Sequence, residues 1–87
     1  MVADHKTVKH QIAIAIGQLE GVLKMIDEDS YCIDVSNQIL AAIAGLKKAD
    51  NMVIQAHLRS CVEHAKDQKD LDQKMIEIGD LLQRISR

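Results

Sequence analysis

Hydrophobic residues recur every three or four positions along most of the chain, which is the spacing of amphipathic helices. This pattern predicts one helix from about Asp4 to Asp27, a second from Tyr31–Asp34 to about His64, and a third from Leu71 to Ile85. Polar, turn-prone residues separate the three segments, and Ser30 or Asp34 is the expected cap of the second helix. The chain is therefore expected to be an all-α protein of three helices.

The composition of the 87 residues agrees with helices and excludes most other fold classes. Proline is absent and Tyr31 is the only aromatic residue, whereas β-sandwiches and barrels need aromatic and β-branched strands between turns rich in Gly and Pro. A chain of this length is expected to form a single domain, residues 1–87, with a small aliphatic core. Cores of this size are often stabilised by association, so a homo-oligomer is expected.

The charge and the hydropathy of the chain limit its partners and its location. Lys and Arg number 11 against 13 Asp and Glu, and the formal charge of −2 argues against a generic nucleic-acid-binding protein. The first nine residues lack the apolar segment of a signal peptide, and the apolar stretch Ile12–Ile16 is too short to span a membrane. We therefore expect a soluble cytoplasmic protein in which Cys32 and Cys61 are reduced.

Two potential metal ligands, His57 and Cys61, are four residues apart in the second predicted helix and therefore share one face. Cys32 precedes His57 by 25 residues, which is about 37 Å along a straight helix. It joins the pair only if a second copy of the helix packs antiparallel to the first, with a two-fold axis near residue 45. Small residues at that midpoint, the run Ala41–Gly45, would allow the two backbones to approach closely.

Two thiolates and one imidazole form a soft ligand set, which favours Cu(I) and also suits Zn(II). Zinc normally takes a fourth ligand, so three donors fit trigonal Cu(I) better. The alternative is that Cys32 and Cys61 are inert core residues, because unpaired cysteine is among the most buried residue types. His5, His10 and His64 are isolated histidines, and the sequence leaves open whether any of them binds a further metal.

Four segments carry a resemblance to the copper-sensing repressors of the CsoR/RcnR type: Gly17–Gly21, Met25–Val35, Gln38–Ile39 and His57–Cys61. The resemblance implies a disc-shaped homotetramer, a dimer of dimers built from three-helix subunits. It implies an intersubunit Cu(I) site made by Cys32 of one protomer with the partner's His57 and the partner's Cys61. Copper-sensing relatives also place a Tyr and a Glu around the ligand histidine, and Tyr31 and Glu77 are at the matching positions.

The first helix departs from this family, whose members carry basic residues just before the Gly-x-x-x-Gly segment. The corresponding positions here hold Gln11, Ala13 and Ile14, and no Lys or Arg occurs between Lys9 and Lys24. DNA affinity rests largely on Lys and Arg side chains that neutralise phosphates, so this loss predicts much weaker DNA binding.

Complete metal ligands beside missing basic residues favour a cytoplasmic Cu(I) buffer or chaperone that does not bind DNA and passes copper to an exporter or a repressor. The alternative is a copper-responsive repressor that releases operator DNA on binding Cu(I), with Lys6, Lys9, Lys47 and Lys48 as its remaining basic groups. A third interpretation is a thiol redox or persulfide sensor based on the two cysteines. An enzyme is not expected, because the sequence has no nucleophile–base arrangement, phosphate-binding loop or evident carboxylate pair.

Overall fold

Three α-helices form the fold in the computed structural model, which describes residues 1–85. They are α1 (His5–Asp27), α2 (Cys32–His64) and α3 (Gln68–Ile85). No β-strand occurs among the described residues, so the predicted all-α fold is confirmed. Over the same residues, no helix is both long enough and apolar enough to cross a membrane.

A side-chain cap explains where α1 begins. The Asp4 carboxylate accepts hydrogen bonds from the hydroxyl and the amide of Thr7, which is the usual arrangement at a helix N-terminus. The hydroxyl bond, followed by the amide bond, holds the pKa of Asp4 below its usual value. The charged form of Asp4 is therefore the form that caps α1.

Reciprocal capping by two aspartates explains why α3 begins three residues earlier than the hydrophobic pattern predicted. Asp67 Oδ1 accepts from the Asp70 amide at 2.7 Å, and Asp70 Oδ2 accepts from the Lys66 amide at 3.2 Å. The first bond satisfies an amide group that the first turn of a helix leaves without a partner, and the second ties the residue before the cap to that turn. The polar residues from Gln68 onward, predicted as a linker, are therefore the first turn of α3.

The start of α2 differs from the prediction in its cap. The Tyr31 carbonyl accepts the first helical bond from the Val35 amide at 3.1 Å, so Tyr31 occupies the cap position. The side chains of Ser30 and Asp34 make no hydrogen bond within the described part of the chain. The backbone alone therefore begins α2, and the predicted side-chain cap is wrong.

The turn between α1 and α2 is closed by two backbone hydrogen bonds. The Ser30 amide donates to the Met25 carbonyl at 2.9 Å, and the Asp29 amide donates to the Ile26 carbonyl at 3.1 Å. This is the pattern of a Schellman motif, which needs a left-handed residue just after the helix. Asp29 takes that role with a φ of 51°, a conformation that glycine adopts at lower cost than any residue with a Cβ.

We expect the substitution Asp29→Gly to raise the free energy of unfolding by about 1 kcal/mol, because it removes the Cβ from a left-handed position. Asp29→Ala removes the same charge but keeps the Cβ, so it serves as the matched control and should not stabilise the protein. Urea unfolding at one fixed protein concentration measures both variants against the parent protein. Equal stability of the two variants would contradict the backbone explanation.

Residues 4–50 form one compact unit, in which α1 packs against the first part of α2. Its buried side chains are small: Ala15 and Val22 on α1, and Ala42 and Ala49 on α2. The members of each pair are seven residues apart, or about two turns, so each pair lies on one helix face. Small side chains at such a contact allow two helices to approach closely.

The close approach of α1 is clearest at Gly45. A Cβ added there would lie 3.5 Å from Gln11 Nε2, 3.6 Å from Gln18 Oε1 and 4.0 Å from Ala15 Cβ. Gln11 Nε2 also donates to the Gly45 carbonyl at 3.4 Å. Gly45 and Ala42 therefore accommodate α1 within the chain, which corrects the prediction that they allow a second copy of α2 to approach.

Larger apolar side chains of this unit remain exposed in two rows, each with the three- and four-residue spacing of a helix face. The α1 row consists of Ile16, Leu19, Leu23 and Ile26, and the α2 row consists of Ile39, Ile43 and Leu46. Contiguous apolar surface of this kind usually marks an interface, whereas scattered apolar residues do not.

The second compact unit combines Met1–Ala3 with the chain from Asn51 onward. Its buried side chains are Ala3, Cys61 and Ile78. The apolar residues of α3 that recur at helical spacing include Ile78, which is buried, so the periodicity of the sequence agrees with the burial of this side chain. Cys61 contributes to the core of this unit and also presents its sulfur to a histidine.

Candidate metal centre

His57 and Cys61 are in contact on α2. His57 Nε2 lies 3.4 Å from Cys61 Sγ. Cys61 is only 6% exposed, whereas His57 is exposed, so one donor lies in the core and the other is at the surface. The contact follows from helix geometry, because residues four apart lie one above the other on the same face.

The distance between these two atoms fits two ligands of one metal ion. Typical metal–sulfur and metal–nitrogen bonds of about 2.3 and 2.0 Å, joined at a tetrahedral angle, place sulfur and nitrogen about 3.5 Å apart. The observed 3.4 Å is close to that separation. A thiolate with an imidazole is also a donor pair that soft and borderline metal ions accept. The geometry and the chemistry of the pair therefore fit a metal.

Cys32, the third predicted ligand, is the first residue of α2 and is exposed. Its side chain lines a pocket of about 290 Å³ together with Ile26, Asp29, Ser30 and Val35. Neither cysteine forms a disulfide. The exposed thiol of Cys32 contradicts the alternative that both cysteines are inert core residues, since only Cys61 is buried.

One copy of the chain assembles only part of the predicted ligand set. Across residues 1–85, no group of three or more His, Cys, Asp or Glu side chains is arranged to hold a metal ion. The His57–Cys61 pair is formed within the second compact unit, and Cys32 belongs to the Asp4–Asp50 unit. The three-ligand site stays a prediction that requires a second copy of the chain.

Tyr31 and Glu77, predicted to surround the ligand histidine, are both exposed, and Tyr31 retains 69% of its accessible surface. Neither makes a hydrogen bond to His57 within the described residues. Their proposed role as neighbours of the metal site stays a prediction.

The three α1 positions that lack the expected basic residues differ in their exposure to solvent. Gln11 is half-buried and donates to the Gly45 carbonyl, so it belongs to the contact between α1 and α2. Ala13 and Ile14 are exposed, and Ile14 keeps 43% of its accessible surface. Only the latter two positions are available to a partner molecule.

His64 has a position that makes it a further candidate metal ligand, a role that the sequence alone left open. Its Nδ1 atom lies 3.0 Å from the Ser60 carbonyl oxygen, so its ring is held against the last turn of α2. The signal was present in the sequence, because His64 follows His57 by seven residues, or about two helical turns.

Comparison with known proteins identifies the family of this chain. The sequence profile of the family described as "Metal-sensitive transcriptional repressor" matches residues 4–84. The chain aligns with the copper-sensing transcriptional repressor CsoR of Bacillus subtilis (strain 168) over an aligned length of 95 positions, with 28% identity. The alignment covers 97% of this chain and 94% of that protein. The resemblance drawn from the sequence motifs is thereby confirmed.

Two mycobacterial relatives match shorter parts. The copper-sensing transcriptional repressor CsoR of Mycobacterium tuberculosis (strain ATCC 25618 / H37Rv) is 29% identical over 65 residues, covering 75% of this chain and 55% of the relative. The copper-sensing transcriptional repressor RicR of the same strain is 43% identical over 49 residues, covering 56% of this chain and 51% of the relative. The chain thus spans about half the length of these mycobacterial relatives.

The names of these relatives bear directly on the functional predictions. All three are called copper-sensing transcriptional repressors, which favours the repressor alternative and gives no support to a buffer or chaperone. They also give no support to the prediction that DNA binding is doubtful. Proteins of this kind are regulators, in agreement with the prediction that the chain is not an enzyme. By the match over residues 4–84, the chain belongs to the family of metal-sensitive transcriptional repressors.

Proposed function

We propose that this protein is a copper-responsive transcriptional repressor of the cytoplasm, which binds operator DNA without metal and releases it on binding Cu(I). The observation that carries the proposal is the His57–Cys61 pair, whose donor atoms are 3.4 Å apart in a chain of the metal-sensitive repressor family. Copper is the signal in this scheme and not a permanent cofactor. The names of the relatives support copper as that signal.

Cu(I) is the oxidation state that suits the proposed ligands. Cys32 of one protomer would supply the third donor to the partner's His57 and the partner's Cys61, giving two thiolates and one imidazole. Soft sulfur donors favour Cu(I), and three donors satisfy a trigonal ion. The exposure of Cys32 supports this arrangement, because its thiol is accessible to a second copy of the chain.

The two exposed apolar rows support an antiparallel homodimer. The α1 row and the α2 row belong to the same compact unit, so two copies that bury them would form a bundle of four helix segments. The short chain also has a small core of its own, in which Ala42 and Ala49 are among the few buried side chains. Pairing of two such dimers would give the proposed homotetramer, with residues 1–87 acting as one domain.

Tyr31 and Glu77 are proposed to support the ligand histidine from this dimer. A hydrogen bond to the ring nitrogen of His57 that does not bind metal would fix the tautomer and the orientation of the imidazole. Both side chains are exposed and available for such a contact with a second copy.

The proposed DNA-binding surface carries few positive charges in each copy of the chain. Lys6, Lys9 and Lys24 are exposed on α1, and Lys47 and Lys48 are exposed on α2, all within the Asp4–Asp50 unit. A symmetric oligomer repeats each of these groups in every copy. Because each protein–phosphate contact contributes to the salt dependence, few contacts predict a shallow dependence of DNA affinity on salt.

We expect the metal-free protein to bind DNA from its own upstream region in preference to unrelated DNA, and Cu(I) to weaken that binding about tenfold or more. Fluorescence anisotropy over a series of salt concentrations measures both effects. Lys9→Gln should lower the magnitude of the salt slope, whereas the exposed Lys69→Gln on α3 is the matched control and should not. Equal affinity for upstream and unrelated DNA would contradict the proposal and favour the Cu(I) buffer.

A further inference from the structure

The last two turns of α2 carry three potential metal donors on one face. His57, Cys61 and His64 follow one another at intervals of four and three residues, which keeps all three side chains on one side of the helix. His57 and Cys61 are already in contact at 3.4 Å. The functional site proposed above uses these two residues and leaves His64 without a role.

The ring of His64 is oriented by a backbone contact. Its Nδ1 atom lies 3.0 Å from the Ser60 carbonyl oxygen, which is only an acceptor, so Nδ1 carries the proton and donates. In the neutral ring the lone pair is then on Nε2, the atom free to bind a metal. A histidine that donates its other ring proton to a carbonyl is the usual form of a metal-binding histidine.

The direction of the side chain supports the same conclusion. Side chains on a helix point back toward its N-terminus, so the His64 ring lies over the turn that carries Ser60 and Cys61. Both imidazoles are exposed and therefore accessible to an ion from solvent, whereas Cys61 is buried. Within residues 1–85 the three donors are not gathered around one point, so binding of one ion by all three requires the imidazole rings to turn toward the Cys61 sulfur.

We propose that His57, Cys61 and His64 form a second metal site, complete within one copy of the chain, that binds a borderline divalent ion such as Zn(II). Zinc accepts imidazole nitrogen and thiolate sulfur, and three protein ligands leave a fourth tetrahedral position for water. The site needs neither Cys32 nor a partner subunit, so it goes beyond the proposed Cu(I) site. Because the two sites share His57 and Cys61, one chain cannot fill both with these residues at once.

The test uses Zn(II) and the full-length Cys32→Ala variant, in which the proposed Cu(I) site is incomplete. Competition with a chromophoric chelator should show one Zn(II) per chain. Adding His64→Gln should weaken that binding at least about tenfold, because a ligand should matter no less than the groups that support ligands. Glutamine retains a donor for the Ser60 carbonyl, and His10→Gln, on an exposed histidine of α1, is the matched control.

Co(II) supplies a second readout that a change in stability would not imitate. The Cys32→Ala variant should show visible bands of a tetrahedral thiolate complex, and His64→Gln should change their pattern while the thiolate-to-metal band persists. Unchanged Zn(II) affinity and unchanged bands in the His64→Gln variant would overturn the second site.

The two proposals can fail separately in these measurements. Loss of Zn(II) binding through His64→Gln supports the second site whether or not the same protein binds Cu(I) or DNA. Full Cu(I) affinity in Cys32→Ala would refute the intersubunit site and leave the zinc result standing.

Discussion

Cys32→Ala is expected to weaken Cu(I) binding by more than about 100-fold, because groups that only support a ligand already account for 10- to 100-fold. The variant keeps the His57–Cys61 pair, whose atoms are 3.4 Å apart, but leaves one thiolate for a soft ion that takes two in the proposed site. Competition with a Cu(I) chelator of known affinity under anaerobic conditions measures the change.

The position of Cys32 makes this substitution informative. Cys32 is exposed at the first residue of α2, so its loss should leave the helix content unchanged, whereas Cys61 is buried and its replacement also disturbs the core. Ser36→Ala, one turn further along α2 and also exposed, is the matched control and should retain the affinity of the parent protein. An affinity equal to that of the parent protein in Cys32→Ala would exclude Cys32 as a ligand.

Mixing two variants that each lack one Cu(I) ligand is expected to restore high-affinity Cu(I) sites. Cys32→Ala lacks the donor at the start of α2, and Cys61→Ala lacks one at its end. A mixed dimer of the two contains one site in which every ligand is present, because each site takes Cys32 from one copy and the other ligands from its partner. With random pairing, about a quarter of the sites of the parent protein should return with full affinity, since a two-fold dimer has two equivalent sites.

Co-refolded mixtures, in which the two variants carry different affinity tags, allow mixed dimers to be isolated and titrated. The control pairs Cys32→Ala with the double variant Cys32→Ala/Cys61→Ala, and that mixture should regain no high-affinity site because no copy provides Cys32. Failure of the first mixture to recover any site, with mixed dimers present, would show that the ligands do not come from two copies.

The bounds of the helices could be predicted from the sequence to within a few residues, because apolar residues recur every three or four positions along α1, α2 and α3. The differences fall at helix ends, where local hydrogen bonds decide. α3 begins at Gln68 because Asp67 and Asp70 cap it reciprocally, and α2 begins without the predicted Ser30 or Asp34 cap. Capping depends on side-chain geometry around a few amide groups and leaves no hydrophobic pattern.

The part of the candidate site that lies on two neighbouring turns of one helix could be predicted from the sequence. The contact between His57 and Cys61 follows from a spacing of four residues on one helix. A role for His64 as a metal ligand could not be predicted from the sequence. It depends on which ring nitrogen faces the Ser60 carbonyl oxygen, and the rotamer of the side chain determines that. Joining Cys32 to the pair depends on a second copy of the chain.

The hydrophobic period and the residue types of the chain were sufficient to predict the all-α fold and to name the candidate donors, because spacing along a helix determines which side chains share a face. The resemblance of four sequence segments indicated the family, which the match over residues 4–84 confirms. The tertiary structure decided how each face is used. Ala42 and Gly45 receive α1, and Gln11 bonds to the Gly45 carbonyl, so these positions serve the contact between α1 and α2. An apolar or small residue is equally suited to an internal contact and to a subunit interface, and only packing distinguishes the two.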